Sequence, residues 1–299
     1  MQTFTNPVLP GCADPDVIFF EGTYYLYATN TDIKDPSELG FKVYSSPDLV
    51  RWTCRGMALK AEDSWGKENF WAPDIIYHNG LFYLSYSVEE HLCIATSRSP
   101  LGPFVQEKKE PLHPDTKEID SHFFQDADGK WYLYFVRFFD SNQIWGAEMT
   151  DDLMGIKEET LTRLLIPDTP WECVQWPVNE APYMIPHNGL YYLTYSGSHC
   201  ESDYGSGYAV SDSPLGTYRK YEGNPVLRST KEMPGVGHHC ITRSPDGKDM
   251  FIVYHRHFDG TRMSPRCVCV DRIRFEKQPE GPDILVVDGP NAGPQPCFF

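Results

Sequence analysis

The stretch Gly22-Thr23-Tyr24-Tyr25-Leu26-Tyr27 decides the fold, because close relatives of it return four more times along the chain. The later copies open at Gly80, Gly129, Gly189 and, more loosely, Gly247, at steps of 58, 49, 60 and 58 residues. Each copy is a turn glycine followed by an aromatic strand, the pattern of a β-hairpin. A repeat of this length built from strands is typical of a radial array. Five copies therefore predict an all-β, five-bladed β-propeller.

Length and composition support this fold. The chain has 299 residues, with 14% aromatic residues, 25 prolines and 23 glycines, as expected for short strands joined by many turns. Because the repeat runs through most of the chain, we predict one domain over residues 1–299. A net charge of −16 disfavours a nucleic-acid or anionic-membrane partner, since the negative charges would repel each other. The oligomeric state is not indicated.

Location is predicted from the N-terminus and the cysteines. Residues 1–7 carry no basic segment followed by an apolar run, so no signal peptide is predicted. No apolar run approaches the roughly 18 residues that span a bilayer. The nine cysteines are odd in number and lack a CxxC spacing, which favours reduced thiols. These features predict a cytoplasmic protein, although a secreted chain trimmed of its leader would look the same.

Each repeat is predicted to contain four strands, with a Ser-Pro turn before the last one, as at Ser46-Pro47. The first such outer strand is expected at Trp52–Cys54. An N-terminal arm, Phe4–Leu9, is expected to complete the sheet of a terminal blade. The outer strands of the last blade are expected from Arg266–Phe275, with one more strand at Ile284–Val287.

The turn glycines also provide a common reference point from which equivalent positions in the five repeats can be counted. If the blades are equivalent, a fixed offset before each glycine marks equivalent positions at the start of the innermost strand, which lines one mouth of the central channel. Nine residues back, or eight in the first repeat, the following polar or aromatic residues occur: Asp14, Trp71, Asp120, Glu180 and His238. We expect these five side chains to converge.

Taken singly, each of these residues has an ordinary structural explanation, but a cluster of three carboxylates is costly, because like charges repel and burial raises the pKa of at least one. The set suits hydrolysis of an acetal. One carboxylate activates water, and a second carboxyl group, kept protonated, donates to the leaving oxygen. Asp120 would raise the pKa of the acid and orient it. Trp71 would offer a flat face to a sugar ring.

With these residues in place, the chain resembles glycoside hydrolase family 43, a family of five-bladed propeller enzymes that act mainly on xylan and arabinan. The motifs that carry the resemblance are Asn6-Pro7-Val8-Leu9, Ala13-Asp14-Pro15-Asp16-Val17, Trp71-Ala72-Pro73-Asp74, Asp120-Ser121, Glu180-Ala181-Pro182 and Gly235-Val236-Gly237-His238-His239. The resemblance implies an inverting mechanism. It implies Asp14 as general base, Glu180 as general acid and Asp120 as the carboxylate that modulates the pKa of the acid. Inversion requires the base and acid to stand roughly 6.5 to 9.5 Å apart.

The resemblance also implies roles for two further residues. His238 matches a channel histidine that in many members binds water around a calcium or similar ion, so we expect a mostly hydrated ion there. We also expect His238 to contact the substrate. Arg266 lies where the family often places an arginine that contacts the acidic cluster and the sugar. Cys12, Cys240 and His239 flank site residues, and the sequence assigns them no role.

Specificity is expected from loops, since the residues after the last repeat do not indicate the β-sandwich that many family xylosidases carry. The loops are Ser64–Phe70, Phe138–Trp145 and Trp171–Trp176, whose bulk favours a pocket for a terminal sugar. We therefore predict release of terminal pentoses, as a β-xylosidase or an α-L-arabinofuranosidase. An endo-arabinanase is the alternative within the class, and a non-catalytic carbohydrate-binding propeller is the alternative outside it. Xylose and arabinose are not distinguished by the sequence.

Overall fold

Each aromatic repeat forms the second strand of a blade, directly after a tight turn at its glycine. The computed structural model describes residues 2–299, which form a five-bladed β-propeller. Blade 1 contains strands Cys12–Phe20, Thr23–Asn30, Gly40–Ser46 and Thr53–Lys60, and blade 2 contains Trp71–His78, Leu81–Val88 and His91–Ser97. Blade 3 contains Glu118–Gln125, Trp131–Phe138, Asn142–Glu148 and Thr162–Leu165. Blade 4 contains Asn179–His187, Leu190–Gly197, Gly205–Ser211, Arg219–Lys220 and Leu227–Arg228, and blade 5 contains Gly237–Arg243, Met250–Arg256, Cys267–Glu276 and Ile284–Val287. The predicted fold is confirmed.

The fourth strand is the variable part of the predicted module. In blade 2 it is reduced to an isolated bridge between Thr96 and Val105, so the prediction of four strands is wrong there. In blade 1 the fourth strand begins at Thr53, close to its predicted start, and extends to Lys60. In blade 4 it is divided into two strands of two residues each. Outer strands contribute least to the central channel, which explains why they vary.

Blade 5 is closed by both ends of the chain. Its third strand, Cys267–Glu276, pairs with Leu9–Pro10 along one half and with Ile284–Val287 along the other. The predicted N-terminal arm therefore does complete a terminal blade, although Phe4 itself pairs with Gln295 in a separate two-stranded sheet. The segment predicted as outer strands of blade 5 is one long strand. This closure removes the exposed edges that an open array would leave.

The repeat tyrosines join neighbouring blades. Most of them are fully buried, including Tyr24, Tyr27, Tyr86, Tyr134, Tyr192, Tyr195 and Tyr254. The Tyr134 hydroxyl of blade 3 donates to Pro214 O in the Ser-Pro turn of blade 4 at 3.1 Å. Tyr27 of blade 1 donates in the same way to Pro100 O of blade 2. These tyrosines therefore pack one blade against the next.

The short helices lie in the connections. They are the 3-10 helices Pro36–Glu38, Ala61–Asp63, Glu158–Thr160 and Pro170–Glu172. None of the helices within residues 2–299 is both long enough and apolar enough to cross a membrane.

The connection from blade 3 to blade 4 is anchored by a buried carboxylate. Glu172 is fully buried and accepts hydrogen bonds from the Tyr195 hydroxyl at 2.6 Å and from the Lys220 ammonium at 2.7 Å. It also accepts from the backbone N–H groups of Asp168 and Thr169. This anchor holds residues 168–178 against blade 4, beside the mouth of the channel.

We expect Glu172→Ala to lower the free energy of unfolding by about 3 to 5 kcal/mol. The Tyr195 hydroxyl and the N–H groups of Asp168 and Thr169 lose their acceptor, and the half-buried Lys220 ammonium is left with the exposed Asp168 as its ionic partner. Chemical denaturation monitored by tryptophan fluorescence measures this. The control is Glu110→Ala, whose ion pair with Lys108 is largely exposed and contributes little. A loss for Glu172→Ala no larger than that of the control would contradict the anchoring role.

Candidate active site

Every inner strand carries a β-bulge near its start, at the mouth of the channel. In each bulge one non-glycine residue has a positive φ, between 44° and 56°. These residues are Asp14, Ala72, Asp120, Ala181 and His238. Left-handed backbone in a residue other than glycine is costly, and such strain concentrates at functional sites. The five bulges therefore mark one ring around the mouth.

The positions of the bulges show that the fixed offset from the turn glycine is wrong by one residue in blades 2 and 4. Glu180 and Trp71 each lie one residue before the bulge, where Ala181 and Ala72 are the true equivalents of Asp14. The prediction that all five residues occupy equivalent positions is therefore wrong for Trp71 and Glu180. A bulge re-aims the side chains on either side of it. Glu180 consequently leaves its strand in a different direction from Asp14 and Asp120.

A hydrogen bond repeated between neighbouring blades holds the ring of bulge residues in place. The N–H group of the bulge residue donates to a side chain on the second strand of the preceding blade. The pairs are Ala72 with Thr29 Oγ1 at 2.9 Å, Asp120 with Ser87 Oγ at 3.0 Å, His238 with Ser196 Oγ at 2.8 Å and Asp14 with His255 Nδ1 at 3.2 Å. In blade 3 this acceptor position holds Val136, which cannot accept, and the Ala181 N–H donates instead to Asp120 Oδ2 at 3.2 Å. This hydrogen bond, which replaces the missing one to the side chain at position 136, holds the Asp120 carboxylate beside the strand of Glu180.

Asp14 is a buried and strongly ionised carboxylate. Arg266 donates to both of its oxygens, at 2.9 and 3.2 Å, and Asp14 Oδ1 lies 3.0 Å from His255 Nδ1 and 3.3 Å from His238 Nδ1. Burial alone would raise the pKa of Asp14, but Arg266, His238 and His255 together hold it well below its ordinary value. Asp14 is therefore charged across the neutral range and able to attract a proton from water.

Glu180 has the opposite electrostatics. The Tyr204 hydroxyl donates to Oε1 at 2.8 Å and the Asn142 amide donates to Oε2 at 3.0 Å. Burial of the carboxyl group raises its pKa to about 7, against the lowering effect of these two hydrogen bonds, and the charge of Asp14 adds to the rise. Near neutral pH a substantial fraction of Glu180 therefore carries the proton that a general acid must donate.

Asp120 stands beside both of these groups. Its burial, followed by the charges of Glu180 and Asp14, raises its pKa well above the ordinary value, while the N–H of Ala181 and the charge of Arg266 oppose the rise. His238 Nδ1 lies 3.8 Å from Asp120 Oδ2. Three carboxyl groups thus share one site, and their pKa values are pushed apart by unequal neighbours.

The structure brings together most of the predicted set, namely Asp14, Asp120, Glu180, His238 and Arg266, and adds three residues. Arg266 contacts Asp14 directly, and His238 lies beside Asp14 and Asp120. Trp71 begins the inner strand of blade 2 and is half-buried. The residues to which the sequence analysis gave no individual role are Asn142, Tyr204 and His255, although Asn142 lies in the predicted specificity loop Phe138–Trp145. His255 was detectable, since it is paired across from the inner strand at the position of the other ring acceptors, whereas Asn142 and Tyr204 border irregular connections that carry no repeat.

The unassigned neighbours of the site are structural. His239 lies 2.8 Å from Thr194 Oγ1 and 3.2 Å from Ser206 Oγ, and burial lowers its pKa to about 3, which keeps it neutral. Cys240 is buried beneath the ring, where burial raises the pKa of its thiol well above the ordinary value. The side chains of both residues are buried.

The expected calcium ion has few protein ligands here. Among residues 2–299, no group of three or more His, Cys, Asp or Glu side chains is arranged to hold a metal ion. The channel cavity that His238 and Asp120 line has a volume of about 20 Å³, enough for roughly one water molecule. Calcium takes about six to eight oxygen ligands. These side chains alone do not complete a calcium coordination shell, so an ion there would depend mainly on water ligands, and no chemical step is routed through one.

Sequence and structure comparisons match nearly the whole chain to known glycoside hydrolases. Residues 4–279 match the sequence model of the family described as Glycosyl hydrolases family 43. The chain is 30% identical to a β-D-galactofuranosidase of Aspergillus niger, over 95% of this chain and 84% of that protein. It is 24% identical to a xylosidase/arabinosidase of Bacteroides ovatus, over 85% of this chain and 89% of that one. The crystal structure of an endo-1,4-β-xylanase from Bacteroides thetaiotaomicron is 40% identical, with a TM-score of 0.89 over 97% of this chain and 98% of that one.

Proposed function

The chain belongs to glycosyl hydrolases family 43 and is a glycoside hydrolase, and from this premise we propose that it releases terminal pentoses from xylan- or arabinan-derived oligosaccharides. The proposed activity is that of a β-xylosidase, an α-L-arabinofuranosidase or both. The observation that carries it is the pair of unlike carboxyl groups at one mouth, Asp14 strongly ionised and Glu180 with a pKa of about 7. A carbohydrate-binding site without catalysis would need no such pair.

In the proposed mechanism Asp14 is the general base. It takes a proton from a water molecule, whose oxygen attacks the anomeric carbon on the face opposite the leaving group. Glu180 is the general acid, and it gives its proton to the glycosidic oxygen as the bond from that oxygen to the anomeric carbon breaks. The released sugar carries the inverted configuration.

The remaining residues of the site assist this step in the proposal. Arg266 keeps Asp14 ionised, and Asp120, tied to the Ala181 N–H, is proposed to modulate the pKa of Glu180, since the two carboxyl groups share one site and ionisation of one opposes ionisation of the other. His238 and Arg266 are proposed to hydrogen-bond the sugar hydroxyls, and Trp71 to stack on its ring.

A terminal sugar is favoured over an internal one by the large side chains at the rim. Phe139 and Trp176 are 60% and 50% exposed, on the connections that adjoin Asn142 and thereby Glu180. Such side chains narrow the approach to the acid. An open groove for internal cleavage is the alternative, as in an endo-arabinanase, and one relative with known structure is named an endo-xylanase.

A substrate panel tests the proposal. It contains p-nitrophenyl β-D-xyloside, α-L-arabinofuranoside and β-D-galactofuranoside, the last because a relative is named for that sugar. Linear xylo- and arabino-oligosaccharides complete it. We expect the highest kcat/KM on a pentoside, with monosaccharide as the first product. Early release of disaccharides or longer products would favour the endo alternative, and preference for the galactofuranoside would overturn the pentose assignment.

The pH profile of kcat/KM is expected to fall above about pH 7, because Glu180 loses the proton it must donate once the pH passes its raised pKa. The low-pH limb is expected well below pH 4, because Asp14 stays ionised until the pH reaches its lowered pKa. Initial rates with an unactivated oligosaccharide measure both limbs. A high-pH limb that persists in Glu180→Gln would show that another group controls it.

A calcium ion near His238 and a cytoplasmic location stay predictions. Metal analysis of the purified protein, followed by chelation and calcium re-addition, tests the first. All nine cysteines are free thiols, which is compatible with a reducing compartment, and cell fractionation tests the second.

A further inference from the structure

A buried pair of rings lies between the two proposed catalytic carboxyl groups. The Tyr204 hydroxyl donates to Glu180 Oε1 at 2.8 Å. The Tyr204 ring stacks on the imidazole of His255, with centroids 5.7 Å apart and planes 11° from parallel. His255 Nδ1 in turn lies 3.0 Å from Asp14 Oδ1 and accepts the Asp14 N–H at 3.2 Å. A continuous chain of contacts thus joins Glu180 to Asp14.

The pair has little room to move. Tyr204 is 1% exposed and His255 is fully buried. Gly237, paired across from His255, lies against the Tyr204 ring so closely that a Cβ there would come within 2.4 Å of it. Ser229 Oγ donates to the backbone carbonyl of Tyr204 at 2.8 Å. The ring of Tyr204 is therefore held against blade 5 by Gly237 and His255.

His255 also departs from the pattern of its ring position. The equivalent acceptors in blades 1, 2 and 4 are the hydroxyl groups of Thr29, Ser87 and Ser196. A hydroxyl group would satisfy the Asp14 N–H but would offer no flat face to Tyr204. The imidazole accepts the Asp14 N–H, as a hydroxyl group would, and in addition presents a flat face to the Tyr204 ring.

We propose that Tyr204 and His255 are positioning residues that hold the general acid and the general base at a fixed separation. This inference rests on the roles proposed above for Glu180 and Asp14. An inverting glycosidase must keep these groups roughly 6.5 to 9.5 Å apart so that water fits between base and sugar. Small displacements of either group from this geometry lower the catalytic rate strongly.

The charge state of the pair suits this role. Burial raises the pKa of Tyr204 well above its ordinary value, so the phenol stays protonated, and burial lowers the pKa of His255 to about 3, so the imidazole stays neutral. The bridge therefore adds no charge of its own between the two carboxyl groups.

The hydroxyl and the ring of Tyr204 can be tested separately. Tyr204→Phe keeps the ring and removes the hydrogen bond to the acid. We expect kcat on an oligosaccharide to fall about ten- to hundredfold, and kcat on a nitrophenyl glycoside to change less than about threefold, because a good leaving group needs little protonation. The matched control is Tyr254→Phe, whose buried hydroxyl donates to Asp271 Oδ2 at 2.6 Å in the core of blade 5. The control should leave the ratio of the two rates unchanged.

Tyr204→Leu removes the ring as well. We expect it to slow the nitrophenyl substrate about tenfold beyond Tyr204→Phe, because His255 then loses the support that fixes Asp14. Circular dichroism and thermal unfolding confirm that each variant is folded. The inference is overturned if Tyr204→Phe leaves the ratio of rates unchanged, or if Tyr204→Leu and Tyr204→Phe have equal rates on the nitrophenyl substrate.

Glu180→Gln, measured beside these variants, separates this inference from the proposed function. A leaving-group effect in Glu180→Gln but not in Tyr204→Phe would reject the positioning role alone. Absence of the effect in both would reject the acid role of Glu180 itself.

Discussion

Asp14→Asn is expected to lower kcat/KM about 10²- to 10⁴-fold on every substrate, whatever its leaving group. An asparagine of the same size retains part of the contact with Arg266 and the backbone bond to His255, but its amide cannot take a proton from water. Because water attack is needed for every substrate, activated aryl glycosides should suffer as much as oligosaccharides. Steady-state rates on a nitrophenyl pentoside and on the matching disaccharide measure the effect.

Asp151→Ala provides a control, because Asp151 is a fully exposed carboxylate in a distant turn of blade 3. It should behave as wild type. A rate for Asp14→Asn within about threefold of wild type would remove the general base from the mechanism. Proton NMR of the first-formed sugar gives a further check, since inversion requires the opposite anomer from that of the substrate.

Glu180→Gln is expected to lower kcat about 10²- to 10⁴-fold on a disaccharide but less than about tenfold on a nitrophenyl glycoside. Glutamine keeps the size of the side chain, yet it has no carboxyl proton to donate. The nitrophenolate leaves without much protonation, so the loss should depend on the leaving group in this variant and not in Asp14→Asn. A series of aryl glycosides with leaving groups of rising pKa measures that dependence.

The high-pH limb of the profile should disappear in Glu180→Gln, since the group that loses its proton near pH 7 is gone. The control is Glu201→Gln, on the connection that leads to Tyr204, which should keep both the limb and the leaving-group dependence of wild type. Equal losses on activated and unactivated substrates in Glu180→Gln would show that this residue is not the acid.

Much of the fold could be predicted because its signal is local. A turn glycine and the aromatic strand after it are consecutive residues, so five copies of the pattern specify five hairpins without knowledge of distant contacts. The outer strands were predicted less well. Blade 2 lacks a regular fourth strand and blade 5 recruits Leu9–Pro10 from the other end of the chain, and pairings of this kind depend on how the ring closes.

The site shows the same division. Asp14, Asp120 and Glu180 were selected by spacing alone. Counting a fixed number of residues from each glycine assumes identical strands, and it placed Glu180 one residue out of register. The bulge that corrects it is a property of the paired strands. Its consequence is chemical, because Glu180 and Asp120 then approach from neighbouring positions while Asp14 meets Arg266.

The sequence by itself therefore determined the five-bladed array and the three carboxyl groups at its mouth, since both follow from a repeat read along the chain. The different roles of Asp14 and Glu180 followed from the sequence only through the resemblance to the family, and the tertiary structure shows the physical cause of their different pKa values. Those values depend on Arg266, His255, Tyr204 and Asn142, which are far from their partners in sequence and meet them only when the blades close into a ring. A pKa is set by burial and by charges within a few ångströms, and those neighbours exist only in the folded chain.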